Sequence, residues 1–144
     1  MRRQRSERGQ TALLIVGFAI VAIMLVAVVV DASAAYLRRQ GLDSLADGAA
    51  LAAADGVQGR QVYRGGLGEH ARVDPVAAAV YVAEYLRETA AAVRYPGLGY
   101  QVRVVADRIT VRVSAPLSLP ITPPSWASRP VISATAASYV VVVG

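Results

Sequence analysis

Few residues in this sequence have side chains that could carry out chemistry, and they are scattered. His70 is the single histidine and there is no cysteine, which excludes a multi-histidine metal site, thiolate ligands and disulfides. The segment Gly65-Gly66-Leu67-Gly68-Glu69-His70 is rich in glycine, but no strand precedes it and no Gly-Lys-Ser/Thr follows it. It therefore predicts a flexible loop rather than a phosphate site. No Gly-x-Ser-x-Gly nucleophile motif is present either.

The remaining candidates have simpler interpretations. Asp43 and Asp47 are one helical turn apart, near Asp55, and such a pair could share a cation. Acids at this spacing are more often solvated, so we expect no metal. Trp126, in a proline-rich segment, is either a core residue or an exposed anchor, and we favour the core. We predict no enzyme activity, no cofactor and no small-molecule substrate.

The composition indicates where the apolar residues lie. The chain has 144 residues, of which 55% are hydrophobic and 17% charged, with a pI near 10.1. All 15 basic residues are arginine, and four of them occur in the first eight positions. The other arginines are scattered among acids and form no continuous basic stretch with interleaved aromatics. The sequence therefore predicts no nucleic-acid partner.

Residues 11–30 form an uninterrupted apolar segment, TALLIVGFAIVAIMLVAVVV. As a helix it would span about 30 Å, the thickness of the hydrocarbon core of a bilayer. It is apolar on every face, which distinguishes it from an amphipathic surface helix. The lipid bilayer is therefore the first predicted partner.

The flanking charges predict the orientation. Arg2, Arg3, Arg5 and Arg8 precede the segment and Asp31 follows it. By the positive-inside rule we expect a cytoplasmic N-terminus and a C-terminal domain outside the cell membrane. The predicted domains are a cytoplasmic basic stub at 1–10, a transmembrane helix at 11–30 and an extracytoplasmic α+β domain at 31–144.

A cleaved secretory signal is the alternative to a membrane anchor. Ala32-Ser33-Ala34 matches an A-x-A site, with cleavage between Ala34 and Ala35. Such cleavage would release a secreted binding domain. Against it, twenty apolar residues exceed the usual 7–15 of a signal, and the helical pattern continues past Ala34.

The helix is expected to extend beyond the membrane. Good helix formers fill residues 31–54, and small or apolar residues recur at steps of three and four. We predict one helix from about Gln10 to Ala54, ended by Gly56 and Gly59, with a loop at 56–73. These small and apolar residues predict a stripe along one side of the helix. We interpret the stripe mainly as a surface that packs within the chain, and otherwise as a surface for a partner helix. The stripe consists of Ala34, Leu37 or Arg38, Gly41, Leu45, Ala49 and Ala52.

A second helix and a small sheet should follow. Asp74-Pro75 is typical of a helix start, and Tyr95-Pro96-Gly97 ends the pattern after Val93. The predicted apolar face of this helix is Val76, Val80, Ala83, Leu86 or Arg87, and Ala90.

The pattern then changes to strict alternation. It predicts a hairpin around Asp107-Arg108 with arginines on the solvent side, and a third strand at 131–143. Five prolines predict an extended loop from Pro116 to Pro130. The fold class is α+β: a long transmembrane helix continuing into a pilin-like spine, a second helix and a three-stranded antiparallel sheet.

The first 56 residues carry a set of short motifs. Arg8-Gly9-Gln10 opens the apolar segment, Asp31 ends it, Tyr36 lies five residues further on, and an alanine-rich run extends from Leu45 to Ala54. With these motifs the segment resembles the TadE/TadG-like family of the tight-adherence (Flp) pilus assembly system. The run from Leu45 to Ala54 is similar to the Ala-rich family signature, with Asp47, Ala49, Ala50 and Leu51 matching and Gly48 replacing an alanine.

The resemblance implies a non-enzymatic membrane protein with protein partners in a pilus or secretion assembly. Family members processed as pseudopilins are cut after a glycine, here Gly9 before Gln10, and carry a glutamate five residues into the mature chain. That position is Leu14 in this sequence. The resemblance therefore favours a TadG-like accessory or anchoring role over a TadE-like pseudopilin.

Overall fold

The computed structural model describes residues 5–65, 73–121 and 130–140. They form three helices and one antiparallel sheet, which confirms the predicted α+β class. The elements are α1 (Arg5–Gly65), α2 (Pro75–Glu88), α3 (Ala91–Arg94), β1 (Gly99–Val105), β2 (Arg108–Pro116) and β3 (Val131–Tyr139).

Helix α1 runs without interruption for 61 residues, a length of about 90 Å. Its first part carries the apolar segment 11–30, whose large side chains are exposed along the whole segment, from 75% at Leu13 to 40% at Val30. No described residue of the rest of the chain covers this surface. The second part packs against α2, β2 and β3. We call α2, α3 and the three-stranded sheet together the head.

The predicted end of α1 near Ala54 is wrong, because the helix continues through Gly56 and Gly59 to Gly65. A glycine inside a helix costs only about 1 kcal/mol, which a long helix can absorb. At Gly56 the missing side chain has a packing role, since the ring of Tyr81 lies directly against the backbone there. The first part of the predicted loop at 56–73 is thus helical, and its glycine-rich part with His70 lies outside the described residues.

The hydrophobic core lies between α1, α2 and the inner face of the sheet. The stripe predicted on α1 is confirmed at Leu45 and Ala49, whereas Leu37 is 65% exposed. The buried face is wider than a single stripe, which confirms its interpretation as intramolecular packing. On α1 the buried residues are Leu42, Leu45, Ala46, Ala49, Ala50, Ala53, Ala54 and Val57.

Helix α2 begins as predicted but buries a different face. The Asp74 side chain accepts a hydrogen bond from the Val76 N–H (N···O 2.9 Å), and Pro75 occupies the first turn. The predicted apolar face is confirmed at Leu86 but wrong at Val76 and Val80, which are 71% and 51% exposed. The buried residues of α2 are Ala77, Ala78, Val82 and Leu86.

The second helix is also shorter than predicted. It ends at Glu88 rather than near Val93, because Ala90 adopts a left-handed backbone conformation with φ of 50°. The short α3 follows, and Tyr95 caps it with its side chain buried in the core.

The sheet has the strand order β1-β2-β3, and both pairs are antiparallel. Residues Ala106 and Asp107 make the turn of the predicted hairpin. Arg103 and Arg112 are exposed on the outer face, as predicted, while alternate residues of β2 are buried against α1. The third strand ends at Tyr139, and residues 141–143 of its predicted range are outside the described part.

Candidate functional site: the junction between the apolar helix and the head

The end of the apolar segment is hydrogen-bonded to the head. The backbone N–H of Ile121 donates to Oδ1 of Asp31, with an N···O distance of 3.0 Å and a sequence separation of 90 positions. Asp31 is the first charged residue after the apolar segment, and a buried or lipid-adjacent carboxylate is costly without a donor. The contact therefore places residue 121 of the head at the end of the apolar segment.

A second contact lies two helical turns further along α1. Nη1 of Arg38 donates to Oγ of Ser118 at 2.8 Å, and its guanidinium carbon is 5.6 Å from the centroid of the Tyr95 ring. The Nε atom of Arg38 is buried and has no hydrogen-bond partner in the described part of the chain. The guanidinium thus joins α1 to Tyr95 and to the segment after β2.

These contacts hold the segment 117–121 alongside α1. At its start, the N–H of Leu117 donates to the carbonyl of Pro130 at 2.8 Å, which closes the base of the predicted proline-rich loop. The chain then passes Ser118 beside Arg38 and reaches Ile121 beside Asp31. We call Asp31, Arg38, Tyr95, Ser118 and Ile121 the junction. Trp126, further along the same loop, lies outside the described residues.

Above the junction, three glycines of α1 each face a tyrosine. A Cβ atom at Gly41 would overlap the hydroxyl of Tyr95, and one at Gly48 would overlap the hydroxyl of Tyr85. At Gly56 a Cβ atom would lie 2.6 Å from Cγ and Cδ1 of Tyr81. We call these three pairs the glycine–tyrosine seam.

The seam was not predicted from the sequence, although a signal for it exists. The three glycines are spaced by seven and eight residues, which places them on one side of α1. Two of the tyrosines are four residues apart in α2, again on one side. Small residues opposite large aromatic ones at matching helical spacings are typical of closely packed helices.

The residues that carry the family resemblance have three different environments. Ala49 and Ala50 are buried in the core, and Asp31 belongs to the junction. The side chains of Tyr36, Asp47 and Leu51 are exposed. Their shared role in a family signature remains a prediction.

Both predicted processing positions lie inside α1. Gly9 and Gln10 are exposed near its N-terminal end, and Ala34 and Ala35 are partly buried between the two junction contacts. Processing at either position remains a prediction.

The described residues hold no cluster of potential metal ligands. They include neither His70 nor a cysteine, and no three of their acids form a group that could hold a metal ion. A shallow depression on α2 is lined by Val80, Ala83, Glu84 and Arg87. What the described part of the chain does present is one helix long and apolar enough, by length and composition, to cross a membrane.

Comparison with known protein families gives a match. Residues 9–56, about a third of the chain, match the Tad family, described as Flp pilus-assembly TadE/G-like. No curated protein and no solved structure matches the chain. The matched residues begin before the apolar segment and end within the seam, so they contain Asp31, Arg38 and all three seam glycines.

Proposed function

We propose that this chain is a non-enzymatic, single-pass membrane protein that supports assembly or anchoring of a Flp/Tad-type pilus or a related secretion machine. The observation that carries the proposal is the coincidence of the family match with one structural unit. Residues 9–56 match the family, and the same residues form the membrane-length apolar helix and its continuation into the core of the head.

The continuity of α1 supports an anchoring role. The helix passes from an exposed apolar surface to a buried alanine-rich face without a break. Because the junction contacts tie the head to α1 at Asp31 and Arg38, the head is held next to the end of the apolar segment. Such an arrangement presents the head at a fixed position above a bilayer to protein partners in the same membrane.

The charges in the sequence support one direction of insertion. The arginines before the apolar segment favour a cytoplasmic N-terminus, and the head then lies outside the cell membrane. Leu14, in the position of the pseudopilin glutamate, favours an accessory or anchoring component over a subunit of the pilus filament. Cleavage after Ala34 would separate Asp31 from the head and remove its hydrogen bond with Ile121.

The decisive experiment is to determine the N-terminal residue and intact mass of the chain in washed membranes and in culture medium. A membrane-bound chain that begins at Met1 supports the anchored role. One that begins at Gln10 replaces it with pseudopilin processing. A soluble chain that begins at Ala35 contradicts the anchor and indicates a secreted binding domain.

The assembly role needs a separate test. Deletion of the protein should reduce surface pili or the secreted products of the associated machine, and re-expression of the full chain should restore them. Unchanged pilus and secretion output after deletion would contradict the assembly role, even if the membrane anchor is confirmed.

A further inference from the structure

On the solvent side of α1, every charged residue between positions 40 and 59 is an acid, and the exposed Arg39 lies one turn before Asp43. Asp43, Asp47, Leu51 and Asp55 follow one another at four-residue steps, and all four are exposed. There is no arginine between residues 40 and 59. The three carboxylates have no ion-pair partner among the described residues. We call this surface the acidic face.

The outer side of the sheet is predominantly positive. Arg103, Arg108 and Arg112 are exposed there, and the only acid in the hairpin is Asp107 in its turn. Two of the guanidinium groups are held in place. Nη2 of Arg112 donates to Oγ of Ser133 at 3.2 Å, and the Arg108 guanidinium lies 5.5 Å from the centroid of the Tyr139 ring. We call this surface the basic face.

One copy of the chain cannot bring its own two faces together. Helix α1 packs on the inner face of the sheet, so the basic face points away from α1. The acidic face is the side of α1 that contacts neither the sheet nor α2. The two faces are therefore on different sides of the head, and each is available to another molecule.

The charges on the two faces have similar spacings along their own elements, and each face carries an exposed apolar or aromatic side chain. Asp47 and Asp55 are about 12 Å apart along α1, at 1.5 Å per residue. Arg108 and Arg112 are about 13 Å apart along β2, at about 3.3 Å per residue. Leu51, which is 56% exposed, lies between the two aspartates, and Tyr139, which is 62% exposed, is the strand partner of Arg108.

We propose that the partner of the acidic face is the basic face of a second copy of this chain. Two different surfaces make such a contact, so it is heterologous and each copy keeps one free face for a further copy. The proposal goes beyond the proposed function and takes from it only the membrane anchor, which gives all copies the same orientation. Exposed ion pairs are individually weak, but confinement to one membrane raises the effective concentration of the partner. The result is a row of copies in the membrane plane.

Cysteine crosslinking of the full chain in membranes tests the geometry, and the absence of native cysteines makes each variant specific. Leu51→Cys marks the acidic face and Ala137→Cys marks the basic face. Co-expression of the two variants followed by mild oxidation should give a mixed dimer. Its yield should exceed that of either variant alone, and that of Leu51→Cys with the control Val93→Cys on α3. Equal yields, or a dominant Leu51–Leu51 product, would overturn the proposal.

A charge exchange in the same variants tests the chemistry. Asp47→Arg in the Leu51→Cys copy, or Arg112→Asp in the Ala137→Cys copy, should each lower the mixed yield by roughly three- to tenfold. Combining both should restore it, whereas Glu88→Arg, an exposed acid on α2, should have no effect. Failure of the paired reversal to restore the yield would contradict the proposal. Membrane fractionation of the same samples keeps this outcome separate from failure of the anchor.

Discussion

At the scale of single residues, the packing of the head on α1 depends on the absence of side chains at three glycines. Interhelical contacts usually require 8–10 Å between helix axes, and small residues at the contact allow the closest approach. In the seam the tyrosines fill the space that side chains at Gly41, Gly48 and Gly56 would occupy. The three sites differ in which part of the tyrosine is affected. At Gly41 it is the hydroxyl tip, whereas at Gly56 it is the root of the ring, which cannot swing away without moving the α2 backbone.

Gly56→Ala is therefore expected to destabilise the head. Overpacking typically costs about 1–3 kcal/mol, which outweighs the gain of up to about 1 kcal/mol in helix propensity. The midpoint of thermal unfolding of the full chain in detergent, followed by near-UV circular dichroism of its tyrosines, should fall by roughly 4–8 °C per net kcal/mol.

Gly59→Ala provides the matched control. Gly59 is in the same helix and a Cβ atom there meets nothing within 4 Å, so this change should stabilise by about 0.5–1 kcal/mol. In a Tyr81→Ala background, Gly56→Ala should no longer destabilise the head, because the ring that a Cβ atom at position 56 would overlap is absent. A stabilising effect of Gly56→Ala in the unaltered background would show that Tyr81 does not pack there.

Asp31 is expected to order the segment that runs along α1. Asp31→Ala removes the acceptor of the Ile121 N–H, and a hydrogen bond of this kind contributes about 1 kcal/mol. Hydrogen exchange at the Ile121 amide should accelerate by roughly fivefold. Asp31→Asn retains an oxygen acceptor and should change the exchange rate less, while Asp43→Ala, at an exposed acid, should leave it unchanged. Equal exchange rates in Asp31→Ala and Asp43→Ala would contradict this contact.

At the scale of elements, the sequence predicts which helices and strands exist better than which face each one buries. Strict alternation in β1 and β2 assigned the hairpin and its solvent-side arginines, because a strand has only two faces. In α2, alanine or valine fills nearly every position from 76 to 83, so several faces are apolar enough to be buried. The seam selects the face that carries Tyr81 and Tyr85, and Val80 is left exposed.

This rotation of α2 predicts a contrast between two neighbouring valines. Val82 is fully buried, so Val82→Ala should destabilise the head by about 2 kcal/mol through lost apolar burial and a residual cavity. Val80 is 51% exposed, and Val80→Ala should cost no more than about 0.5 kcal/mol. Denaturant unfolding of the two full-length variants measures the difference. A larger loss of unfolding free energy in Val80→Ala than in Val82→Ala would support the buried face of α2 that was predicted from the sequence.

The ends of helices and the junction were less predictable for physical reasons. A helix can continue through a glycine when tertiary contacts outweigh the loss of about 1 kcal/mol in helix propensity, and α2 supplies such contacts to α1 at Gly48 and Gly56. The junction joins Asp31 to Ile121 across 90 residues, and no local pattern reports a contact at that separation. In the sequence, the two sides of the junction are recognisable only separately, as an acid after an apolar segment and as a proline-rich loop.

At the scale of the whole molecule, one helix determines where every other part lies. The apolar segment of α1 is exposed on all sides, whereas the same helix is buried by the head from Leu42 onward. Burial of apolar surface favours a bilayer around the first part by roughly 25 cal/mol per Å². Since the helix continues without interruption into the head, the orientation of the apolar segment and the side on which the head lies are one question.

The orientation of the molecule can be tested with single cysteines, because the chain has none of its own. Thr135→Cys lies on the exposed face of β3, and Ser6→Cys lies among the arginines before the apolar segment. A membrane-impermeant maleimide should label Thr135→Cys in cells whose outer surface is accessible, and Ser6→Cys only after the membrane is permeabilised. The reverse pattern would place the head in the cytoplasm, where it could not support a surface assembly. Labelling of both sites without permeabilisation would show that the chain does not span the membrane at all.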